Sequence, residues 1–121
     1  LIKNQINLKK IVIIIHPFVR KEMMRFTKKN KNSSIVFYEI PLLIESKLYK
    51  KFDLIIFIKA KKTIRFKRFK AKGGNKQLFE ILNKKQLSDK KKINFCDHVV
   101  VNESNKKILK ENLLDIINKY E

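Results

Sequence analysis

Three short apolar runs constrain this chain most: Ile35-Val36-Phe37-Tyr38, Leu54-Ile55-Ile56-Phe57-Ile58 and Val99-Val100-Val101. Each has the length of a strand, the β-branched and aromatic content of a strand, and the near-continuous apolarity of a strand covered on both faces. Helix-compatible stretches lie between the second and third runs, at residues 61–72 and 77–86. Residues 106–120 then place Ile108, Leu109, Leu113, Ile116 and Ile117 on one helical face. Strands joined by a helical crossover pair in parallel, because a tight hairpin joins only antiparallel neighbours. The expected fold class is therefore α/β with a parallel sheet.

The front of the chain reads as helical. Leu8, Ile11, Val12 and Ile15 recur at helical spacing. Pro17 predicts that this helix ends near Ile15 and that a second begins, with Val19, Met23, Met24 and Phe26 on its apolar side. Residues 28–34 read as a polar loop. Neither an internal repeat nor a dividing linker is present, so the 121 residues are expected to form one domain. A 44% hydrophobic content with only 2 Gly and 2 Pro is that of a folded domain rather than a disordered tail.

The formal net charge of +19 points first to nucleic acid or an anionic membrane. That reading is discounted. Nearly all of the charge is Lys, accompanied by abundant Ile and Asn, which is the drift of an AT-rich coding sequence, and Arg occurs only at 20, 25, 65 and 68. Phosphorylated small molecules suit what charge remains. The single Cys96 excludes an internal disulfide and suits a reducing, cytoplasmic setting. The longest apolar run, residues 11–15, is far short of the roughly 20 residues of a membrane span. The start at Leu1 looks cut rather than processed.

Ligands in open parallel sheets sit beyond the carboxyl ends of the strands. Glu39, Pro41 and Asn102 occupy such ends. Glu39 reads either as a solvated loop carboxylate, which spacing alone favours, or as a group that holds Mg²⁺ through water or orients an attacking hydroxyl. Arg65 and Arg68 stand on the helix after the second strand, amid lysines and before Gly73-Gly74. A solvated basic face is the plain reading; the scarcity of Arg and its bidentate grip on phosphoryl oxygens raise Arg68 above its neighbours. The glycines would let this helix move as a lid. His16, with Pro17 and Arg20, is either a helix-capping histidine or a substrate contact. His98 reads as capped or exposed, Phe66 and Phe69 read as core rather than as base-stacking platforms, and no metal-ligand spacing links the histidines with Cys96.

Four pieces, in order, resemble the dephospho-coenzyme A kinases. His16-Pro17-Phe18-Val19-Arg20 is similar to the family's H-P-x-V-R, and Glu39-Ile40-Pro41-Leu42-Leu43-Ile44-Glu45 to its D-I-P-L-L-F-E. Phe52-Asp53-Leu54-Ile55-Ile56 resembles the F-D-x-V-I strand. Gln86 followed by Cys96-Asp97-His98-Val99-Val100-Val101-Asn102 resembles the Q…A-D-x-V-I-x-N ending. Singly, only the P-L-L-x-E piece is specific; the order carries the match, which runs from about Leu8 to the end.

The resemblance implies a three-layer P-loop kinase fold and transfer of the ATP γ-phosphoryl group, with Mg²⁺, to the ribose 3′-hydroxyl of dephospho-coenzyme A. It implies that Arg68 is a lid arginine acting on the transferring phosphates and that Asn102 lies by the adenine. His16 and Arg20 would belong to the acceptor side, with Pro41, Leu42 and Leu43 forming its wall. In these terms residues 8–33 belong to the substrate-binding helices, 34–60 to the core strands, 61–90 to the lid and 91–121 to the closing strand and helix. The chain departs from the pattern at Glu39, where Asp is usual, at Gly73-Gly74, where a polar or acidic pair is usual, and at Lys72, where a second lid arginine is common.

No G-x-x-x-x-G-K-[ST] phosphate cradle occurs, and with glycine only at 73 and 74 none can be hidden. In the family the cradle lies upstream and its strand is central in the sheet, so the expectation is an incomplete fold that is inactive alone. Two competing readings stay open. One is a basic nucleic-acid-binding module, supported by charge only; the other is a different P-loop nucleotide or nucleoside kinase, separable by its acceptor.

Overall fold

A parallel pair of strands forms the sheet, β1 at Ile56–Lys59 and β2 at His98–Val101, in the register Ile56 to His98 and Lys59 to Val101. The computed structural model describes the backbone of residues 2–121 and the side chains from His16 onward. Leu8, Ile11, Val12 and Ile15, expected to form the apolar side of the first helix, lie outside the described side chains. The chain forms two compact units, Leu1–Glu39 and Ile40–Glu121.

In the first unit a single helix, α1, runs Ile2–Lys29 with Pro17 inside it. The expected break near Ile15 does not occur. Proline deletes one rung of the i→i−4 ladder and crowds the turn before it, at a cost of about 3 kcal/mol; in a helix of 28 residues the ladder resumes on both sides of that one gap. Lys28 and Lys29 in the last turn face the negative end of the helix dipole. The Asn30 N–H and side-chain amide both donate to the Phe26 carbonyl, at 3.1 and 2.9 Å, and stop the helix.

The run Ile35-Val36-Phe37-Tyr38 is a second correction. It takes no regular secondary structure and pairs with no strand among the described residues, and Phe37 is 60% exposed rather than buried. A strand exists only where a neighbour completes its ladder. Here the segment is held by side chains instead. Tyr38 sets its ring edge-on to Phe26 at 5.7 Å, its hydroxyl hydrogen-bonds to the Thr27 hydroxyl, and it also donates to the Met23 carbonyl at 3.3 Å.

The second unit follows the order the sequence predicts. After a short 3-10 helix at Leu48–Lys51 and β1 come α2 (Lys62–Ala71), α3 (Lys76–Lys84), α4 (Asp89–Ile93), β2 and α5 (Lys106–Ile117). Asn75, Ser88 and Asn105 cap α3, α4 and α5, each accepting from the backbone N–H three residues on. The ladder is continued at both ends: Asp97 and His98 N–H donate to the Ile55 carbonyl at 2.9 and 3.2 Å, and Asn102 N–H to the Lys59 carbonyl at 2.8 Å. The Asp97 carboxylate accepts from Ile55 N–H at 2.7 Å, so it acts as a side-chain rung beyond the strand.

The core is small, with Ile44, Ile55, Ala60, Phe79, Val100 and Ile116 buried. α5 packs on β2, α4 on β1, and α2 on α3. Phe66 and Phe69 of α2, both half-buried, pack on the buried Phe79 of α3 with ring centres 5.1 and 5.7 Å away. β2 is covered on one face only: Val100 is 3% exposed, while its neighbours Val99 and Val101 are 40% and 50% exposed.

Gly73 and Gly74 form the stop of α2. Gly73 has φ of +89°, its N–H donates to the Lys70 carbonyl and Gly74 N–H to the Phe69 carbonyl, both at 3.0 Å. These paired bonds after a left-handed residue are the Schellman termination. A Cβ on Gly74 would strike the Phe69 ring, which is itself packed on Phe79. Gly74→Ala is therefore expected to destabilise the second unit by about 1–3 kcal/mol, read as a lowered midpoint in urea. An unchanged midpoint would mean that Phe69 swings aside freely.

Candidate nucleotide site

Beyond the carboxyl end of β2 the chain turns through Asn102, Glu103, Ser104 and Asn105 before α5 begins. α2 is tied to this turn twice. The Arg68 guanidinium donates to the Asn102 carbonyl at 2.7 Å, and the Glu103 carboxylate accepts from Lys61 N–H, at the mouth of α2, at 2.9 Å. The Lys61 ammonium adds a loose ion pair to Glu103 at 3.8 Å. α2 has no acidic residue in its first turn, so Glu103 is the carboxylate that meets the positive end of its dipole.

The two arginines of α2 divide their work. Arg65 is spent on the fold: its Nε donates to the Ala60 carbonyl at 3.2 Å, its terminal nitrogen to the Asn83 side chain at 2.9 Å, and its guanidinium lies 5.9 Å from the Phe79 ring centre. Arg68 is fastened at one point, to a backbone carbonyl, and a guanidinium carries a fork of donors. Such a group, steadied at one corner beside a strand end, can grip phosphoryl oxygens with the rest.

Of the residues singled out in the sequence, the structure brings Arg68 and Asn102 together. Glu39, His16 and Arg20 belong to the first unit, all exposed, with His16 and Arg20 one helical turn apart on α1. Pro41, Leu42 and Leu43 belong to the second unit, in a turn where Leu42 has φ of 56° and its carbonyl accepts from Ser46 N–H at 3.0 Å. His98 is engaged with Tyr120, its Nε2 lying 2.6 Å from the phenol oxygen.

The turn of residues 41–47 is anchored through Glu45. Its carboxylate accepts from Leu87 N–H at 2.8 Å and pairs with the Lys92 ammonium of α4 at 3.3 Å. Lys92 also donates to the Gln86 side chain at 2.8 Å and lies 5.7 Å from the Phe57 ring centre. Burial pushes the Glu45 carboxyl up, but hydrogen bonds from its own backbone and from Leu87, together with Lys92, outweigh it and hold the carboxyl below its ordinary range. At Cys96, burial and then the Asp97 charge push the thiol up against a smaller pull from Lys92. A thiol so placed is a poor nucleophile.

Sequence reading missed Glu103, Arg65 and the Glu45–Lys92 pair as fastenings. The one local signal for Glu103 was the lack of an acidic residue in the first turn of α2, and its partner is 42 residues away. A groove of about 410 Å³ runs along α1 among Phe18, Val19, Met23, Phe26 and Tyr38, with the charged Glu22 in its lining. An apolar groove with a carboxylate is poorly suited to phosphate. Among the described residues no group of three or more His, Cys, Asp or Glu could hold a metal ion, and no helix is long and apolar enough to cross a membrane.

A parallel pair joined by a helical crossover makes this an α/β chain, consistent with the P-loop kinase fold. The family model described as dephospho-CoA kinase matches residues 1–107. The chain belongs to the dephospho-CoA kinase family. It is 32% identical over 111 residues to the dephospho-CoA kinase of Bartonella quintana, covering 80% of this chain and 57% of that one. With its counterpart from Rickettsia bellii it shares 29% identity over 98 residues, 80% of this chain and 51% of the other. For Wolbachia pipientis the figures are 26% over 113 residues, 92% and 58%. The chain thus spans about half the length of the curated relatives it matches.

Proposed function

We propose that this chain supplies the adenine side and much of the acceptor side of a cytoplasmic enzyme that moves the ATP γ-phosphoryl group onto the ribose 3′-hydroxyl of dephospho-coenzyme A, and that these 121 residues alone do not catalyse it. The observation that supports the reading is the bond from Arg68 to the Asn102 carbonyl, which sets a guanidinium, a group able to bind phosphate, beside the strand-end turn. Family membership supplies the reaction.

Phosphoryl transfer asks a protein mainly for positioning and for charge beside the equatorial oxygens. Arg68 gives that charge, and Asn102 meets the adenine. His16 and Arg20, on one face of α1, hold the acceptor's own phosphates, and Pro41, Leu42 and Leu43 wall its site. Glu39, an exposed carboxylate, orients the attacking hydroxyl and is the residue here that would hold Mg²⁺. One carboxylate fits an ion held chiefly by water and substrate phosphates; when bound, the ion neutralises charge on the β- and γ-phosphates. The net charge of +19 draws in two highly anionic substrates. What these residues do not contain is a glycine-rich phosphate cradle.

The test is to read and express the coding frame extended upstream of Leu1. The extended chain is expected to contain a glycine-rich phosphate loop and to convert dephospho-coenzyme A to coenzyme A with ATP, whereas the 121-residue chain does not. Turnover by the short chain alone, or an extended chain that ignores dephospho-coenzyme A, would overturn the proposal.

A further inference from the structure

The turn after β2 holds α2 at two points that lie about two helical turns apart along it. Glu103 takes the first backbone N–H at Lys61, and the carbonyl of its neighbour Asn102 takes Arg68, because helical side chains lean back toward the helix start. Lys61 has no capping side chain of its own, so the end of α2 nearest the sheet is fixed by a residue 42 positions away. Glu103 is partly buried, its side chain 24% exposed, and its carboxylate is aimed at α2 rather than at solvent.

We infer that Glu103 is a positioning residue for phosphoryl transfer: by capping α2 from the nucleotide turn, it sets where the Arg68 guanidinium stands relative to bound ATP. The inference rests on the phosphoryl-transfer reading above. Contact with the Asn102 carbonyl does not fix Arg68 alone, since a long side chain can keep one hydrogen bond through a range of helix positions. The cap removes that range. An angstrom of misplacement costs transition-state contacts steeply, while ground-state binding of substrate feels it less.

The hydrogen bond to Lys61 needs an acceptor oxygen, not a charge, so an amide can replace the carboxylate. In the extended enzyme Glu103→Ala is expected to lower kcat about tenfold or more, with KM for dephospho-coenzyme A nearly unchanged, and Glu103→Gln to restore most of the loss. In an Arg68→Ala background, Glu103→Ala is expected to cost nothing further, because its effect passes through Arg68. Melting curves on the same proteins confirm that each is folded at the assay temperature. Unchanged kcat in Glu103→Ala, equal impairment in Glu103→Gln, or losses that simply multiply in the double variant would each overturn the positioning role. Absence of activity in the extended wild type would overturn the kinase reading and this inference with it. That outcome is distinct from an active enzyme indifferent to Glu103.

Discussion

Replacing Arg68 with Ala in the extended enzyme is expected to lower kcat by about 10²–10³-fold, the scale of losing one preorganised charge beside a transferring phosphoryl group. KM for dephospho-coenzyme A should move little, since Arg68 stands on the nucleotide side of the proposed site. Arg68→Lys should recover only part of the rate: an ammonium keeps the charge but loses the planar fork. Losing the bond to the Asn102 carbonyl costs about 1 kcal/mol of stability, too little to empty the folded state. Steady-state assay of coenzyme A formation with folded variants reads the effect. An Arg68→Ala enzyme within a few-fold of wild type would remove the arginine from the chemistry.

The second large effect concerns stability. Lys92→Met leaves the Glu45 carboxylate without its cation in a place where both side chains are mostly out of water, 12% and 14% exposed. Breaking a fully buried pair costs about 3–5 kcal/mol. The remaining exposure here brings the expectation to about 2 kcal/mol. Adding Glu45→Gln to Lys92→Met should return part of it, because the uncompensated charge is then gone.

Acid should act through the same carboxylate. Folding holds Glu45 below its ordinary range. Its contribution is therefore complete above the unfolded value and is lost as pH falls through the lower folded value. Thermal midpoints of wild type should fall across that acid window more steeply than those of Glu45→Gln. Parallel slopes, or a Lys92→Met protein as stable as wild type, would show that the turn of residues 41–47 is not held by this pair.

Much of the second unit was legible because its signals are local. The apolar runs at residues 54–58 and 99–101 mark β1 and β2 within two residues, the helical spacing of Ile108, Leu109, Leu113 and Ile116 marks α5, and strand–helix–strand order dictates parallel pairing. Phe66 and Phe69 read as core contacts and pack on the buried Phe79. Errors fell where a local rule met a non-local outcome. Pro17 disfavours helix locally, but a helix continuing on both sides carries it. Ile35-Val36-Phe37-Tyr38 has the composition of a strand, but a strand is a relation between two segments and no described residue supplies the second. The Gly73-Gly74 pair ends α2 in a pattern that only its φ and hydrogen bonds reveal.

At the candidate site, the sequence singles out residues but not their connectivity. The rarity of Arg in a lysine-rich chain drew attention to both Arg65 and Arg68, yet only three-dimensional contacts separate the one that staples α2 to α3 from the one that reaches the Asn102 carbonyl. Glu103 and the Glu45–Lys92 pair act across 42 and 47 residues, distances over which no periodicity or spacing rule operates.

That Arg68 and the turn after β2 together receive a nucleotide is tested most directly by nuclear magnetic resonance of the extended enzyme titrated with Mg²⁺-ATP. The expected result is saturable shifts concentrated at the backbone amides of Asn102, Glu103, Ser104 and Asn105 and at the Arg68 side-chain Nε–H. Saturation with ATP that leaves those five signals in place would contradict it.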